Sequence, residues 1–128
     1  MALKDIADRL VAHCRAGTEA EGLATLYSDD ATSAEAASDP KGDTPRVVKG
    51  LDAIRGKHAW WNENFIVHDA KVEGPFLHGD DRFAVIFEMD AEEKASGMRW
   101  EMKEVAIYTV KDDRIVGEEF YYTMEGAG

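Results

Sequence analysis

The sequence predicts a single α+β domain over residues 1–128, in which three N-terminal helices pack on a strongly curved, mainly antiparallel sheet and enclose a pocket. Two observations predict this class. Apolar residues recur at helical spacing in the first half of the chain and alternate with polar residues in the second half. Helices followed by a run of strands are typical of α+β folds. A chain of 128 residues is long enough for one core and too short for two.

The first two helices are marked by apolar spacing and by cap residues. Gly17 suits the C-cap of the first helix, and Thr18 with Glu21 has the spacing of a capping box that opens the second. The second helix is expected to carry Leu23, Leu26 and Tyr27 and to stop at residues 28–30. The apolar stripe of the first helix consists of Leu3, Ile6, Ala7, Leu10, Val11 and Cys14.

A third helix is predicted after Gly50, with Asp52 as its cap and an end near Asn64. Short strands are expected at about residues 32–36 and 46–49, on either side of a polar loop at residues 38–45. The apolar side of the third helix includes Ile54, Trp61 and Phe65.

From Phe65 onward the hydrophobic period changes to two residues, which predicts strands. The expected strands cover residues 65–73, 75–78, 82–90, 98–110 and 115–124, with a polar connection at residues 91–97. The side chains expected on the concave side of the sheet are Phe83, Val85, Phe87, Trp100, Met102 and Phe120.

The last two strands each have a mostly apolar face that carries one charge, Glu104 on the first and Glu118 on the second. A five-residue connection at residues 111–115 would place Tyr108 opposite Glu118 and put both apolar faces on one side. A two-residue turn at residues 112–113 would put these faces on opposite sides, since a one-residue slip reverses every side chain. We therefore expect the longer connection.

Composition excludes several classes of partner and cofactor. The net charge of -11 and the absence of a basic run argue against nucleic-acid and membrane partners, and no apolar run approaches the length of a transmembrane helix. Cys14 is the single cysteine, so no internal disulfide can form, which favours a reducing, cytoplasmic location. No nucleotide-binding glycine motif, Walker loop or histidine pair is present, so neither a cofactor nor a metal is predicted.

Several short stretches have a recognisable order and spacing, at residues 6–10, 26–31, 50–57, 68–70, 72–76, 79–85 and 114–122. With them the chain resembles the SnoaL-like family of the nuclear-transport-factor-2-like fold over nearly its whole length. The resemblance implies a cone-shaped cavity lined by helices and a bent sheet. Proteins of this architecture include ketosteroid isomerases, polyketide cyclases, dehydratases, epoxide hydrolases and non-catalytic binding modules, and their chemistry needs no cofactor.

Only some of the catalytic positions of ketosteroid isomerases have a suitable residue in this sequence. In ketosteroid isomerases the general base is an aspartate shortly beyond an Asp-Asp-Ala-Thr-like stretch; here the stretch at residues 29–32 leads to Glu35. The tyrosine of the oxyanion hole falls on Leu10, and the protonated aspartate falls on Ala106, or on Glu104 if the alignment shifts. Isomerase chemistry in that form is therefore not supported.

Glu35, Glu104 and Glu118 are the candidate catalytic residues. Desolvation raises the pKa of a carboxyl group on an apolar face, which suits it to acid or base work near neutral pH. The alternative is that tyrosine hydroxyls hold Glu104 and Glu118 as structural groups and that Glu35 is an exposed loop-edge carboxylate. The candidate ligand-binding residues are Tyr108, Tyr122, Trp60, Trp100, Phe120 and His13, each with plain packing or surface exposure as its alternative.

The sequence therefore predicts a protein that binds a small apolar molecule and carries out acid–base chemistry on it, such as isomerisation, cyclisation or dehydration. The alternative is a non-catalytic module that binds a ligand or a protein. The outer face of the sheet also carries apolar residues between charged ones, which predicts a homodimer joined through this face. These outer apolar residues are Ala84, Ile86, Val105, Ile107, Ile115 and Tyr121.

Overall fold

The computed structural model describes residues 2–36 and 45–123 and confirms the α+β class. Most of the predicted polar loop at residues 38–45 lies outside these ranges. Within them, no helix has the length and apolar character needed to cross a bilayer. The helices are α1 (Leu3–Ala16), α2 (Glu19–Leu26) and α3 (Leu51–Asn64), and the strands are β1 (Tyr27–Ala34), β2 (Val47–Lys49), β3 (Phe65–His78), β4 (Arg82–Glu93), β5 (Arg99–Lys111) and β6 (Arg114–Tyr121).

The six strands form one open mixed sheet in the order β2-β1-β6-β5-β4-β3. β1 runs parallel to β6, and every other neighbouring pair is antiparallel. The parallel pair is the feature that matters for function, because it places Ser33 of β1 beside Glu118 of β6 in the middle of the sheet. The helix α3 packs on β1 next to this pair, while α1 packs on β3 and α2.

The core lies between the helices and one face of the sheet, where the predicted apolar stripes meet. Gly17 ends α1 in the left-handed conformation expected of a C-cap glycine, with φ of 72°. Cys14 is half-buried against the core, and desolvation raises the pKa of its thiol to about 12, so it stays protonated and unreactive. The helical part of the core consists of Ile6, Ala7, Leu10, Val11, Leu23, Leu26 and Ile54.

The predicted N-terminal caps of α2 and α3 are only partly confirmed, since Thr18 is the N-cap residue of α2 without the predicted capping box and Asp52 is not the N-cap of α3. Thr18 precedes α2 but forms no capping hydrogen bond, because its hydroxyl is paired with the Nδ1 atom of His13 at 2.7 Å. The N-cap of α3 is Gly50, and Asp52 instead forms an exposed ion pair with Arg55 at 3.3 Å. For Thr18 an alternative partner takes the capping oxygen, whereas Asp52 lies inside the helix, because α3 begins at Leu51.

The predicted boundaries also shift where strand pairing overrides local preference. Tyr27, expected at the end of α2, is the first residue of β1 because it pairs with Ile115 of β6. The strands predicted at residues 65–73 and 75–78 are one strand, β3, with a register shift between Glu73 and Phe76. β4 continues to Glu93, into the predicted polar connection, because it pairs with the whole length of β3.

The predicted five-residue connection between β5 and β6 is wrong, since Val110 pairs with Ile115, but the predicted pairing of Tyr108 with Glu118 is confirmed. Asp112 and Asp113 form a two-residue turn with φ of 52° and 62°, the backbone of a type I′ hairpin. An irregularity between Thr109 and Val110 then shifts the register, so Tyr108 still lies opposite Glu118. A bulge adds one residue to one strand, which restores the faces that a two-residue turn would reverse.

Because of the same bulge, the predicted position of Ile115 is wrong. This residue was expected on the outer face, but it is fully buried in the core, because it pairs with Val110 before the register shifts. The rest of the predicted register is confirmed. On the inner face, Phe83 and Val85 are fully buried, and Phe87 and Phe120 pack against the core. Trp100 and Met102 share the half-buried face of β5. On the other face, Arg99 and Lys103 are exposed and pair with Asp90 and Glu88.

Candidate functional site

Glu118 is the buried centre of the candidate site, with 5% of its surface exposed. It accepts hydrogen bonds from the hydroxyls of Tyr27 and Ser33, the latter at 2.7 Å, and both donors come from the neighbouring strand β1. Desolvation, with the charge of Glu118, raises the pKa of the Tyr27 hydroxyl well above its ordinary value. Tyr27 therefore keeps its proton and acts as a permanent donor to the buried carboxylate.

Lys57 of α3 connects this centre to the surface. It follows the buried Ile54 by three residues, which turns its side chain toward the sheet. Its ammonium group donates to the Oγ atom of Ser33 at 2.7 Å and to the Oε2 atom of Glu35 at 3.1 Å. It also lies 5.4 Å from the centre of the Phe120 ring, within the range of a cation–π contact. Lys57 thus connects α3 to the sheet through its contacts with Ser33, Glu35 and Phe120.

Glu35 lies just after β1, at the partly exposed edge of the site. The exposed fraction of its side chain is 31%, against 18% for Lys57. Its Oε1 atom accepts a hydrogen bond of 3.4 Å from the Tyr122 hydroxyl. Desolvation, followed by the charge of Glu35, raises the pKa of Tyr122 to about 12, so this hydroxyl remains a donor.

Glu104 of β5 differs from the other two glutamates because no described side chain or backbone group bonds to its carboxyl group. It is half-buried on the inner face of its strand, and within residues 2–36 and 45–123 it forms no hydrogen bond or ion pair. Desolvation raises its pKa from 4.5 to about 7, and the charges of Glu35 and Glu118 act in the same direction. The charge of Lys57 opposes them. We call Tyr27, Ser33, Glu35, Lys57, Glu104 and Glu118 the carboxyl site.

A group of aromatic rings lies around Phe65, where α3 joins β3. Trp61 stacks on Phe65 at 4.3 Å, and the rings of Trp60 and Trp100 lie 5.9 and 6.0 Å from it. The indole N–H of Trp100 is buried and finds no acceptor among the described residues. Trp100 and Glu104 share one face of β5 four residues apart, or about 13 Å along the strand. The rings therefore form an apolar area beyond the carboxyl site on the same face.

The structure brings most of the predicted site residues together. The carboxyl site includes Glu35, Glu104 and Glu118, and Tyr122 and Phe120 contact it. The aromatic group includes Trp60 and Trp100. Tyr108 is buried opposite Glu118 and stacks on Phe83 at 4.8 Å, which places it in the wall of the core.

His13 is not brought into this group. It lies at the junction of α1 and α2, where its ring is bonded to Thr18 and faces Gly22. A Cβ atom at position 22 would lie 3.4 Å from the His13 ring, which is an ordinary van der Waals contact, so the ring packs directly against this part of α2. His13 therefore packs between α1 and α2 and does not line the carboxyl site.

Sequence reasoning missed Tyr27, Ser33 and Lys57. Lys57 was detectable, because it interrupts the apolar side of α3 between Ile54 and Trp61. Ser33 has no comparable signal in the sequence, and only the burial pattern of β1 in the structure shows that it is fully buried. The test that selected Glu104, a single charge on an apolar face, would have selected Lys57 had it been applied to the helix.

Two surface depressions lie away from the carboxyl site. One, of 420 Å³, lies beside Arg15 and Val72, and the other, of 440 Å³, lies over Glu88 and Lys103. Neither includes a residue of the carboxyl site. No group of three or more metal-binding side chains occurs in the part of the chain that the structure describes. The case for the carboxyl site therefore depends on its chemistry and burial.

Comparison with known proteins identifies the family. The profile of the SnoaL-like domain matches residues 1–122. The chain belongs to the SnoaL-like family. A Mesorhizobium loti structure described as a SnoaL-like polyketide cyclase is 39% identical, with a TM-score of 0.86 over 95% of this chain and 100% of that one. No curated protein sequence matches.

Two more distant structures share the fold of this SnoaL-like chain and contain ligands. A Mycobacterium tuberculosis protein in complex with estradiol-17β-hemisuccinate is 21% identical, with a TM-score of 0.69 over 98% of each chain. A Catenulispora acidiphila protein with a ketosteroid isomerase-like fold, in complex with trimethylamine, is 18% identical, with a TM-score of 0.67 over 87% of this chain and 80% of that one. At these identities the likeness concerns the fold alone.

Proposed function

We propose that this SnoaL-like domain binds a small apolar molecule and carries out cofactor-independent acid–base chemistry on it, of the isomerase, cyclase or dehydratase type, with Glu104 exchanging the proton. The observation that carries the proposal is a half-buried carboxyl group without a hydrogen-bond partner in the described residues and with a pKa of about 7. Such a group is divided about equally between acid and base at neutral pH, where proton transfer in both directions is efficient.

The surroundings of the three glutamates assign them different roles. Glu118 is held by two hydroxyl donors, and Glu35 by Lys57 and Tyr122. Their charges favour the protonated form of Glu104. Carboxyl groups whose environments differ in this way are typical of acid–base enzymes, so this contrast favours an enzyme over the alternative, a non-catalytic binding module.

The expected ligand is an apolar molecule with a carbonyl or hydroxyl oxygen. Protonated Glu104 can donate a hydrogen bond to such an oxygen, and the aromatic group around Phe65 offers a surface for the apolar part. The indole N–H of Trp100 lacks an acceptor within the described chain, and a second ligand oxygen can supply one. The estradiol derivative bound by the Mycobacterium tuberculosis protein supports this choice, since it shows that the fold accepts ligands of this size. The single cysteine supports a reducing, cytoplasmic setting.

Ligand binding tests the proposal. We expect estradiol or another apolar alcohol, enone or lactone from a small panel to raise the melting temperature and to be retained in native mass spectrometry. The affinity of a carbonyl probe should fall several-fold between pH 6 and pH 8, because ionised Glu104 can no longer donate a hydrogen bond. In Glu104→Gln the affinity should no longer depend on pH in this range.

Glu101→Gln is the matched control, because it removes an exposed carboxylate from the opposite face of the same strand. If the affinity of the probe falls equally in wild type and in Glu104→Gln, Glu104 has no part in recognition. A probe that binds but is never converted would support the binding module instead.

We also propose a homodimer joined through the outer face of the sheet. Five of the six predicted apolar residues remain on this face, and Ile86, Val105 and Tyr121 follow one another in register across β4, β5 and β6. Ala84 and Ile107 are paired in the next row. Charged side chains of both signs adjoin this patch, which suits a two-fold contact in which each copy offers the same surface.

Sedimentation velocity at micromolar concentration tests the dimer. Wild type is expected at twice the monomer mass of 14.2 kDa, and Ile107→Lys is expected at the monomer mass, because it places a charge at the centre of the apolar contact. Ile66→Lys, at an exposed position on β3 outside this patch, should remain dimeric. A wild-type protein that stays monomeric as its concentration rises contradicts the proposal.

A further inference from the structure

A continuous chain of hydrogen bonds crosses the carboxyl site from the core to the surface. Its six groups, in order, are Tyr27, Glu118, Ser33, Lys57, Glu35 and Tyr122. Five of them come from β1, from β6 or from the residues directly after these strands, and Lys57 alone comes from a helix. Lys57 is therefore the only member of the chain that ties α3 to the sheet.

Chemistry fixes the direction of each hydrogen bond in this chain. An ammonium group has only donors, so Lys57 must donate both to Ser33 and to Glu35. Ser33 has a single hydroxyl proton, and since its oxygen accepts from Lys57, that proton is directed to Glu118. Lys57 thus orients the hydroxyl that binds the buried carboxylate, although it does not contact that carboxylate itself.

Lys57 is also the one cation among the three carboxyl groups of the site in the described structure. Its single positive charge is shared among three carboxyl groups. Glu104 lies within the electrostatic reach of all three groups but is hydrogen-bonded to none of them. Desolvation and the two neighbouring glutamates disfavour a negative charge on Glu104, and the charge of Lys57 opposes them.

Building on the proposed role of Glu104, we propose that Lys57 is the positioning residue of the carboxyl site: it holds Glu35, orients the Ser33 hydroxyl toward Glu118, and supplies the positive charge that eases ionisation of Glu104. The side chain of Lys57 does not itself transfer a proton in this account. Its contribution is a fixed positive charge and the orientation of the Ser33 hydroxyl.

Removal of this charge should change the titration of Glu104. In Lys57→Gln nothing remains to oppose desolvation and the two neighbouring carboxylates, so the midpoint for Glu104 should rise from about 7 by roughly one pH unit. Lys57→Arg retains the positive charge and should keep the midpoint near its wild-type position. A residue that only stabilised the packing of α3 would not produce this difference in a folded protein.

The experiment is an NMR titration of the Glu104 side-chain carbon in wild type, Lys57→Gln and Lys57→Arg. Lys103→Gln is the matched control, since Lys103 is adjacent to Glu104 in sequence but is exposed on the other face of the sheet. The inference is supported if only Lys57→Gln raises the midpoint. It is overturned, with the proposed function intact, if Glu104 titrates near 7 in all four proteins. A wild-type midpoint near 4.5 overturns both.

Discussion

Glu104→Gln is expected to raise the free energy of unfolding by about 3 kcal/mol relative to wild type at pH 8.5, and to leave it nearly unchanged at pH 4. The pKa of Glu104 rises from 4.5 to about 7 on folding. Between these values the folded protein binds more protons than the unfolded chain, so wild-type stability falls as the pH rises through this range. Glutamine does not titrate and resembles the protonated acid in shape, so the variant escapes this loss.

Urea denaturation followed by tryptophan fluorescence between pH 4 and pH 8.5 measures this difference. Glu101→Gln serves again as the control on the exposed face of β5. The quantity to compare is the free energy of unfolding of each variant minus that of wild type at the same pH. A difference for Glu104→Gln that stays constant across the range would mean that the folded protein does not perturb this carboxyl group.

Glu118→Ala is expected to lower the free energy of unfolding by about 3 kcal/mol at pH 7. The substitution removes the acceptor of two buried hydroxyls, those of Tyr27 and Ser33, which are 6% and 0% exposed. A hydrogen bond to a charged group contributes about 1.5–3 kcal/mol, and relief from burying the carboxylate offsets part of the combined loss. The loss should be smaller when Tyr27→Phe is already present, because one of the two donors is then gone.

Glu119→Ala is the matched control for this substitution. Glu119 follows Glu118 in β6 but is exposed on the other face, where it pairs with Arg46 at 3.6 Å. An exposed ion pair contributes less than about 1 kcal/mol, so this variant should be nearly as stable as wild type. Equal losses for the two alanine variants would show that the hydrogen bonds to Glu118 do not stabilise the fold.

The parts of the fold that the sequence predicts well are those set by hydrophobic period. Alternation on β5 identified Glu104 as the single charge on an inward face, and the same reasoning found Glu118 on β6. The hairpin between them was wrong in detail because a bulge cannot be read from alternation. The turn at Asp112 and Asp113 adopts positive φ at two residues other than glycine, and the register shift next to it compensates for its length.

The parts of the site that the sequence does not predict depend on pairing between distant segments. Ser33 meets Glu118 across 85 positions of sequence, and only the parallel pairing of β1 with β6 brings them together. The sequence indicated an antiparallel run of strands and left β1 unplaced. His13 shows the opposite problem, because helical spacing alone did not reveal that its ring lies against Gly22 in the junction of two helices.

The measurement that tests the central claim most directly is the pH titration of the Glu104 carboxyl carbon in the wild-type protein, observed by NMR with glutamate labelled at that carbon. The signal is assigned by its disappearance in Glu104→Gln. The account predicts a midpoint near 7, because desolvation and two neighbouring carboxylates disfavour the ionised form. A midpoint near 4.5, the ordinary value for a solvated glutamate, would contradict the assignment of Glu104 as the acid and base of this site.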